Sequence, residues 1–191
     1  MAGILIILLF STVVYITHNN NKILMILKWI TYIVILLIVI IYPQLNSFSW
    51  YDNIATLVYE YTNKVLLSGR NGLWSEALDV IKQNPVCGYG LDYSDYFFKP
   101  VHNSYLNILL QTGMLGLISV IVLINTFLNL RIKNGKSISS AIAIITMSNL
   151  IMCSFEVMLL QGQIILQIIV WALIGLNINE NVTNKADSIT L

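Results

Sequence analysis

The chain has 191 residues, of which 57% are hydrophobic and only 10% charged, with net charge +1 and mean hydropathy +0.78. Soluble domains carry roughly 25% charged residues, so this composition excludes a water-soluble globular domain and makes lipid the solvent for much of the surface. The near-zero net charge and the lack of a basic run also exclude the electrostatic footprint of a nucleic-acid binder. Cys87 falls in a polar stretch and Cys153 in an apolar run, so neither a disulfide framework nor a metal site is expected, only two unpaired thiols.

Residues 2–17 form the first apolar run, close to the lower limit of ~17 residues for a membrane span. It lacks a basic n-region and an Ala-x-Ala cleavage site, so it reads as a span rather than a signal peptide. After a polar break at 18–22, residues 23–42 form the second span, ended by Pro43, which cannot continue a helix's hydrogen bonding. Lys28 lies inside it near one end, where its alkyl stem can follow the helix while the ammonium reaches the interface.

Residues 44–103 are different material, rich in Trp, Tyr, Asp and Asn. Within them Leu73, Trp74, Ala77, Leu78 and Ile81 recur at helical spacing, Asn84-Pro85 closes that helix, and Gly88-Tyr89-Gly90 makes a turn. The apolar stripe would let this helix lie on the membrane surface or pack over the bundle. Residues 104–130 are the third span, followed by a turn carrying Arg131, Lys133 and Lys136; residues 138–160 and 164–176 are the fourth and fifth. No internal repeat is visible.

The expected fold is therefore all-α: a polytopic membrane bundle of about five transmembrane helices with a long, partly helical extracytoplasmic loop. The expected division is two spans in 1–43, the loop in 44–103, three spans in 104–178 and a polar cytoplasmic tail in 179–191. Orientation follows from the short basic loops, Lys22 with Lys28 and Arg131 with Lys133 and Lys136, which stay cytoplasmic while long loops translocate regardless of charge. The 44–103 segment then faces outward and the C-terminus inward.

Arg70, in Ser68-Gly69-Arg70-Asn71-Gly72, stands where the loop helix begins. A helix start offers unpaired N–H groups and the positive end of the dipole, and arginine adds a planar fork matched to phosphate oxygens, so the combination suits a phosphate or diphosphate. An arginine decorating a solvated loop is the plainer alternative. His102 sits where the loop meets the third span, beside Asn103 and Ser104, either of which can cap that helix. A histidine there can act as a general base or hydrogen-bond an anionic ligand near neutral pH, or serve as an interfacial residue without a role. Glu156 falls in an apolar run; carboxylates in such places usually face a cavity or a partner, or else snorkel to the surface.

Taken together, Ser68-Gly69-Arg70-Asn71-Gly72-Leu73-Trp74, Asn84-Pro85, Gly88-Tyr89-Gly90, His102-Asn103-Ser104-Tyr105, Gly113-Met114-Leu115-Gly116 and Ser154-Phe155-Glu156 resemble the O-antigen ligase and polysaccharide polymerase family. In that family an Arg-x-x-x-Trp element opens the main outer loop, a Pro-x-x-Gly-x-Gly turn follows, and a His-Asn element begins the next span. The resemblance covers about 66–176 and implies a membrane-embedded glycosyltransferase of the bacterial cytoplasmic membrane. Its donor would be a glycan carried on polyprenyl diphosphate, its acceptor a glycan or lipid, and neither a cofactor nor a metal would be needed. By the same resemblance Arg70 and His102 become the catalytic candidates, Arg70 holding the diphosphate and His102 positioning or deprotonating the acceptor hydroxyl. Trp74, Asn103 and Glu156 become substrate-binding candidates, with helix packing the plainer role for Trp74.

Family members usually have more spans and further outer-loop arginines ahead of this region. The chain is thus expected to represent a C-terminal half, through truncation, a split gene or a late start codon, with an N-terminal half or other polysaccharide-assembly proteins as partners. Two other classes stay open. A polysaccharide permease would use midplane polar groups; Asn107, Gln111 and Gly113 sit towards the outer end of the third span, while Gln161 and Gln163 lie in the turn before the last span and Gln167 within it. A non-catalytic membrane assembly subunit is the other. Gly113 and Gly116 could pair spans in any of the three.

Overall fold

A computed structural model describes residues 20–134, 137–157, 159, 168, 171 and 172. The expected first span and almost all of the fifth lie outside them. Among the described residues the structure is all-helical: α1 (Asn21–Ile41), a 3-10 turn (Tyr42–Ser47), α2 (Tyr51–Thr62), a second 3-10 turn (Leu66–Gly69), α3 (Arg70–Ile81), α4 (Ser104–Asn134) and α5 (Ser137–Met152).

The boundaries have local causes. Asn20 caps α1, its side-chain oxygen accepting from the N–H groups of Lys22 and Ile23 at 3.1 and 3.2 Å. Pro43 tightens the end of α1 into the 3-10 turn. Asn63 ends α2 in the left-handed conformation. Two helical stretches among the described residues are long and apolar enough to cross a membrane, Asn21–Ser47 and Ser104–Ile132. Along α1, Ile26, Trp29, Ile33 and Leu37 face outward unburied, and Leu115, Ile118 and Val122 do so on α4. Water would not tolerate such faces on two adjacent helices; hydrocarbon does.

α1 and α4 run antiparallel, and α5 packs against both. Leu24, Ile124, Leu128, Ile132, Ala143, Ile144, Met147 and Leu150 form their shared core. At the other end, α3 closes the bundle: Trp74, Ala77 and Ile81 pack on Phe97, Val101, Leu106, Leu109 and Leu110. Of the two settings open to its apolar stripe, packing over the bundle is the one adopted.

Three expectations change. Lys28 does not snorkel: it is 2% exposed, and its ammonium donates to the side-chain oxygens of Asn125 at 2.9 Å and Asn129 at 2.7 Å. Those asparagines, four apart on one face of α4, give a buried cation partners that the apolar surroundings could not.

α4 is not continuous. Gly113, at φ 61° and ψ −160°, breaks it, and the turn after α3 fills the break. Tyr89 and Gly90 donate their N–H groups to the carbonyls of Leu110 and Gln111 at 2.7 and 2.8 Å; the Met114 N–H donates to Pro85 O at 2.8 Å and that of Leu115 to Val86 O at 3.3 Å. Backbone groups freed by the break thus find partners in the turn, as buried backbone must. Gly113 therefore serves this close approach rather than helix pairing: a Cβ there would collide with the Val86 carbonyl, and one at Gly88 would come within 2.6 Å of the Gln111 carbonyl carbon.

Finally, α5 stops at Met152, short of the expected 160. At ~1.5 Å per residue its 16 residues span roughly 24 Å, less than the ~30 Å hydrocarbon core. Tertiary bonds end it. The start of α4 captures the next carbonyls, Ser104 N–H donating to Cys153 O and Asn103 Nδ2 to Ser154 O, both at 2.8 Å.

Candidate active site

The turn after α5, the start of α4 and the start of α3 meet above the bundle. Asn103 anchors the meeting. Its Oδ1 caps α4, accepting from Tyr105 N at 2.9 Å and Leu106 N at 3.0 Å, while its Nδ2 holds the Ser154 carbonyl. Ser104 adds a second tie: its hydroxyl donates to Glu156 O at 2.8 Å and accepts from Leu159 N at 3.2 Å. These bonds fix the backbone on either side of the Glu156 side chain.

Arg70 is the first residue of α3, set by Gly69 in the left-handed conformation at φ 69° with no side-chain cap. Its guanidinium reaches the post-α5 turn, donating from Nη1 to Phe155 O at 2.5 Å and from Nη2 to Glu156 Oε1 at 3.2 Å. The other carboxylate oxygen, Oε2, lies 3.5 Å from His102 Nδ1. One carboxylate thus stands between the arginine and the histidine. The Arg70 and Glu156 side chains keep 26% and 44% of their surface open, so the cluster faces outward rather than being sealed.

His102 itself has φ 49°. A non-glycine residue in this region costs about 1–3 kcal/mol and persists only where its surroundings over-determine it. Here they do. Trp74 Nε1 donates to Val101 O at 2.7 Å on one side, and Asn103 is locked on the other. Trp74 is completely buried, its ring 4.5 Å from Tyr42 and 6.2 Å from Phe155 between centroids. Its enclosure makes it the post that holds the segment before His102 and leaves no face open to a sugar.

The structure therefore brings Arg70, His102 and Glu156 into one cluster, with Asn103 and Trp74 as its supports. Sequence reasoning did not find Tyr42, Ser104 as the tie to Glu156, or the Phe155 carbonyl as an Arg70 partner; aromatic residues beside a span end carry no signal that singles one out. Among the described residues no three of His, Cys, Asp and Glu gather as a metal site requires.

The family model described as O-antigen ligase matches residues 1–121. The chain belongs to the O-antigen ligase family. The match takes in Arg70, Trp74, His102, Asn103, the glycine turn and the Gly113 break, and ends before Glu156. It also reaches back to residue 1, ahead of the 66–176 over which the motifs carried the resemblance. No curated protein and no solved structure matches this O-antigen ligase-family chain. Family membership makes it a membrane protein of O-antigen ligase or polymerase type.

Proposed function

We propose that this chain transfers glycan from a polyprenyl diphosphate carrier onto a glycan or lipid acceptor in surface-polysaccharide assembly. The observation that carries the reading is the Arg70–Glu156–His102 cluster at the membrane-proximal edge of the 44–103 loop. Arg70 receives the diphosphate as leaving group: when the bond between the anomeric carbon and the diphosphate oxygen breaks, the guanidinium neutralises the charge that develops there. His102 turns Nδ1 towards Glu156, which leaves Nε2 to take the proton of the acceptor hydroxyl as its oxygen bonds to the anomeric carbon. Glu156 orients the imidazole and stabilises its protonated form, as a carboxylate does for a catalytic histidine elsewhere. In the resting state it also neutralises Arg70, so the donor diphosphate replaces it on the guanidinium. Trp74 and Asn103 hold the pieces in place.

An apolar cleft of about 310 Å³ between α1, α4 and α5, lined by Val39, Tyr105, Leu109 and Leu117 among others, supports a lipid-borne donor. It would shelter the near end of the polyprenyl chain. The loop and site lie on the outer face of the cytoplasmic membrane and the basic end of α4, at Arg131 and Lys133, on the inner.

Cells of the source organism lacking this chain and complemented with Arg70→Ala test the reading. Loss of the transferase leaves lipid-linked glycan stranded on the outer leaflet, where impermeant periodate oxidation and hydrazide tagging of intact cells detect it. A permease, the competing reading, would strand it inside, out of reach of the reagent. Product indistinguishable from wild type at equal expression would end the proposal.

A further inference from the structure

A second concavity, of about 350 Å³, opens between the 91–100 segment and the first half of α4. This falls at the small end of the ~300–1,000 Å³ typical of small-ligand clefts. Asn107 and Gln111, both buried, line it from one face of the half-helix. The carbonyls of Leu110 and Gln111, held by Tyr89 and Gly90, fix this stretch of α4 against the glycine turn. Opposite, the Tyr93 hydroxyl donates to Asn107 Oδ1 at 2.5 Å, and burial pushes that phenol up, so it stays a hydroxyl. Asp92 is set by the Ser94 N–H and hydroxyl, whose bonds hold its carboxyl below the usual range and keep it an acceptor. At the rim, Phe98 is 83% exposed. Lys99 beside it is paired with Glu76 at 2.6 Å, which ties the rim to α3 and offsets its charge.

We infer that this groove is a glycan subsite, holding a sugar unit next to the one that reacts. Its lining combines what hydroxyl-rich, nearly neutral ligands need: side-chain amides, a hydroxyl and a carboxylate that donate and accept at fixed points, and an open aromatic ring for the C–H face of a pyranose. The Lys99 ammonium on its edge already faces a carboxylate, so a phosphate headgroup gains little here. The groove also adjoins the transfer site: Pro100, on its wall, lies two residues before His102, and Asn107 lies one turn beyond Asn103. A chain seated in it would present its next hydroxyl towards the histidine. This assignment rests on the glycosyltransferase reading above and deepens it by placing the glycan on named residues.

The test is photocrosslinking in cells of the source organism, with their own polysaccharide as probe. p-Benzoylphenylalanine replaces Phe98 in one version and Tyr61, 86% exposed on α2, in a control. Irradiation should give high-mass adducts, stained by a periodate-based glycan reaction, at 98 and not at 61. Asp92→Ala, a change at an exposed loop residue, should reduce them several-fold. Absence of adducts at 98 in cells where wild type makes polysaccharide and Arg70→Ala does not would remove the subsite and leave the transferase standing. Adducts at 98 that extract into organic solvent and resist periodate would overturn it in favour of a lipid headgroup. Normal polysaccharide from Arg70→Ala would instead remove the transferase reading itself.

Discussion

Arg70 and Glu156 are 86 positions apart in the chain, and they meet guanidinium to carboxylate at 3.2 Å. An ion pair this open contributes only about 0–1 kcal/mol to stability, so its effect should be sought in function. Glu156→Gln should leave the melting temperature in detergent almost unchanged while turnover falls on the order of 10²-fold. Arg70→Lys keeps the charge but not the fork, and should stay comparably impaired. A melting temperature lowered by many degrees in either variant would mean that the pair holds the fold instead.

At His102 two replacements separate two roles. Glutamine keeps hydrogen-bonding capacity but cannot take a proton, whereas a general base contributes typically ~10²–10⁴ in rate. His102→Gln should therefore lose turnover with little loss of donor binding, and the acidic limb of the pH–rate profile should vanish from whatever activity survives. Near-normal turnover in His102→Gln alongside failure of His102→Ala would leave the histidine as a positioner of substrate.

Two glycines in α4 are crowded in different ways. A Cβ at Gly113 meets backbone of Val86 and Cys87, which cannot rotate away, and φ 61° adds strain; a Cβ at Gly116 meets only the Thr112 side chain. Gly113→Ala should cost more than the ~1–3 kcal/mol of an unfavourable φ alone, seen as poor recovery from membranes and a lowered melting temperature. Gly116→Ala should also cost stability, since the Thr112 Cβ would lie 2.4 Å from the added methyl and no change of rotamer moves it. Full tolerance of Gly113→Ala would mean that the glycine turn is not docked in the helix break.

Lys28 gives a third stability test, because its cation depends on two amides. Replacing Asn125 and Asn129 together by Leu strands the ammonium in apolar surroundings and should cost about 3–5 kcal/mol, the usual penalty for breaking a buried charged contact from one side. Adding Lys28→Leu should recover most of it. No recovery would show that the asparagines serve some other contact.

How much of this was legible beforehand follows from where each cause lies. The span at α1, the stripe of α3 and the start of α4 are written in local periodicity and capping residues, and the structure has them close to where the pattern puts them. The break at Gly113 was hidden because a glycine in an apolar run reads as a pairing residue; what breaks α4 is a turn more than twenty residues upstream. The end of α5 was hidden likewise, since nothing at Cys153 forbids helix and the bonds that stop it come from Asn103 and Ser104. Lys28 was misplaced because its partners lie 97 and 101 positions away. At the site, Arg70 and His102 stood out by motif and Glu156 by its rarity in an apolar run, yet only the fold shows one carboxylate lying between the other two.

Transfer itself is the most direct measurement. Membranes from source cells lacking this chain, supplied with wild type or Arg70→Ala at equal abundance, would receive lipid-linked glycan purified from the same cells with the label in its sugar. Wild type should move label from the organic-soluble donor into polymer or ligated glycan and free one polyprenyl diphosphate per transfer, while Arg70→Ala should leave the label on the lipid. Equal transfer by the two, or transfer without release of polyprenyl diphosphate, would contradict the transferase reading.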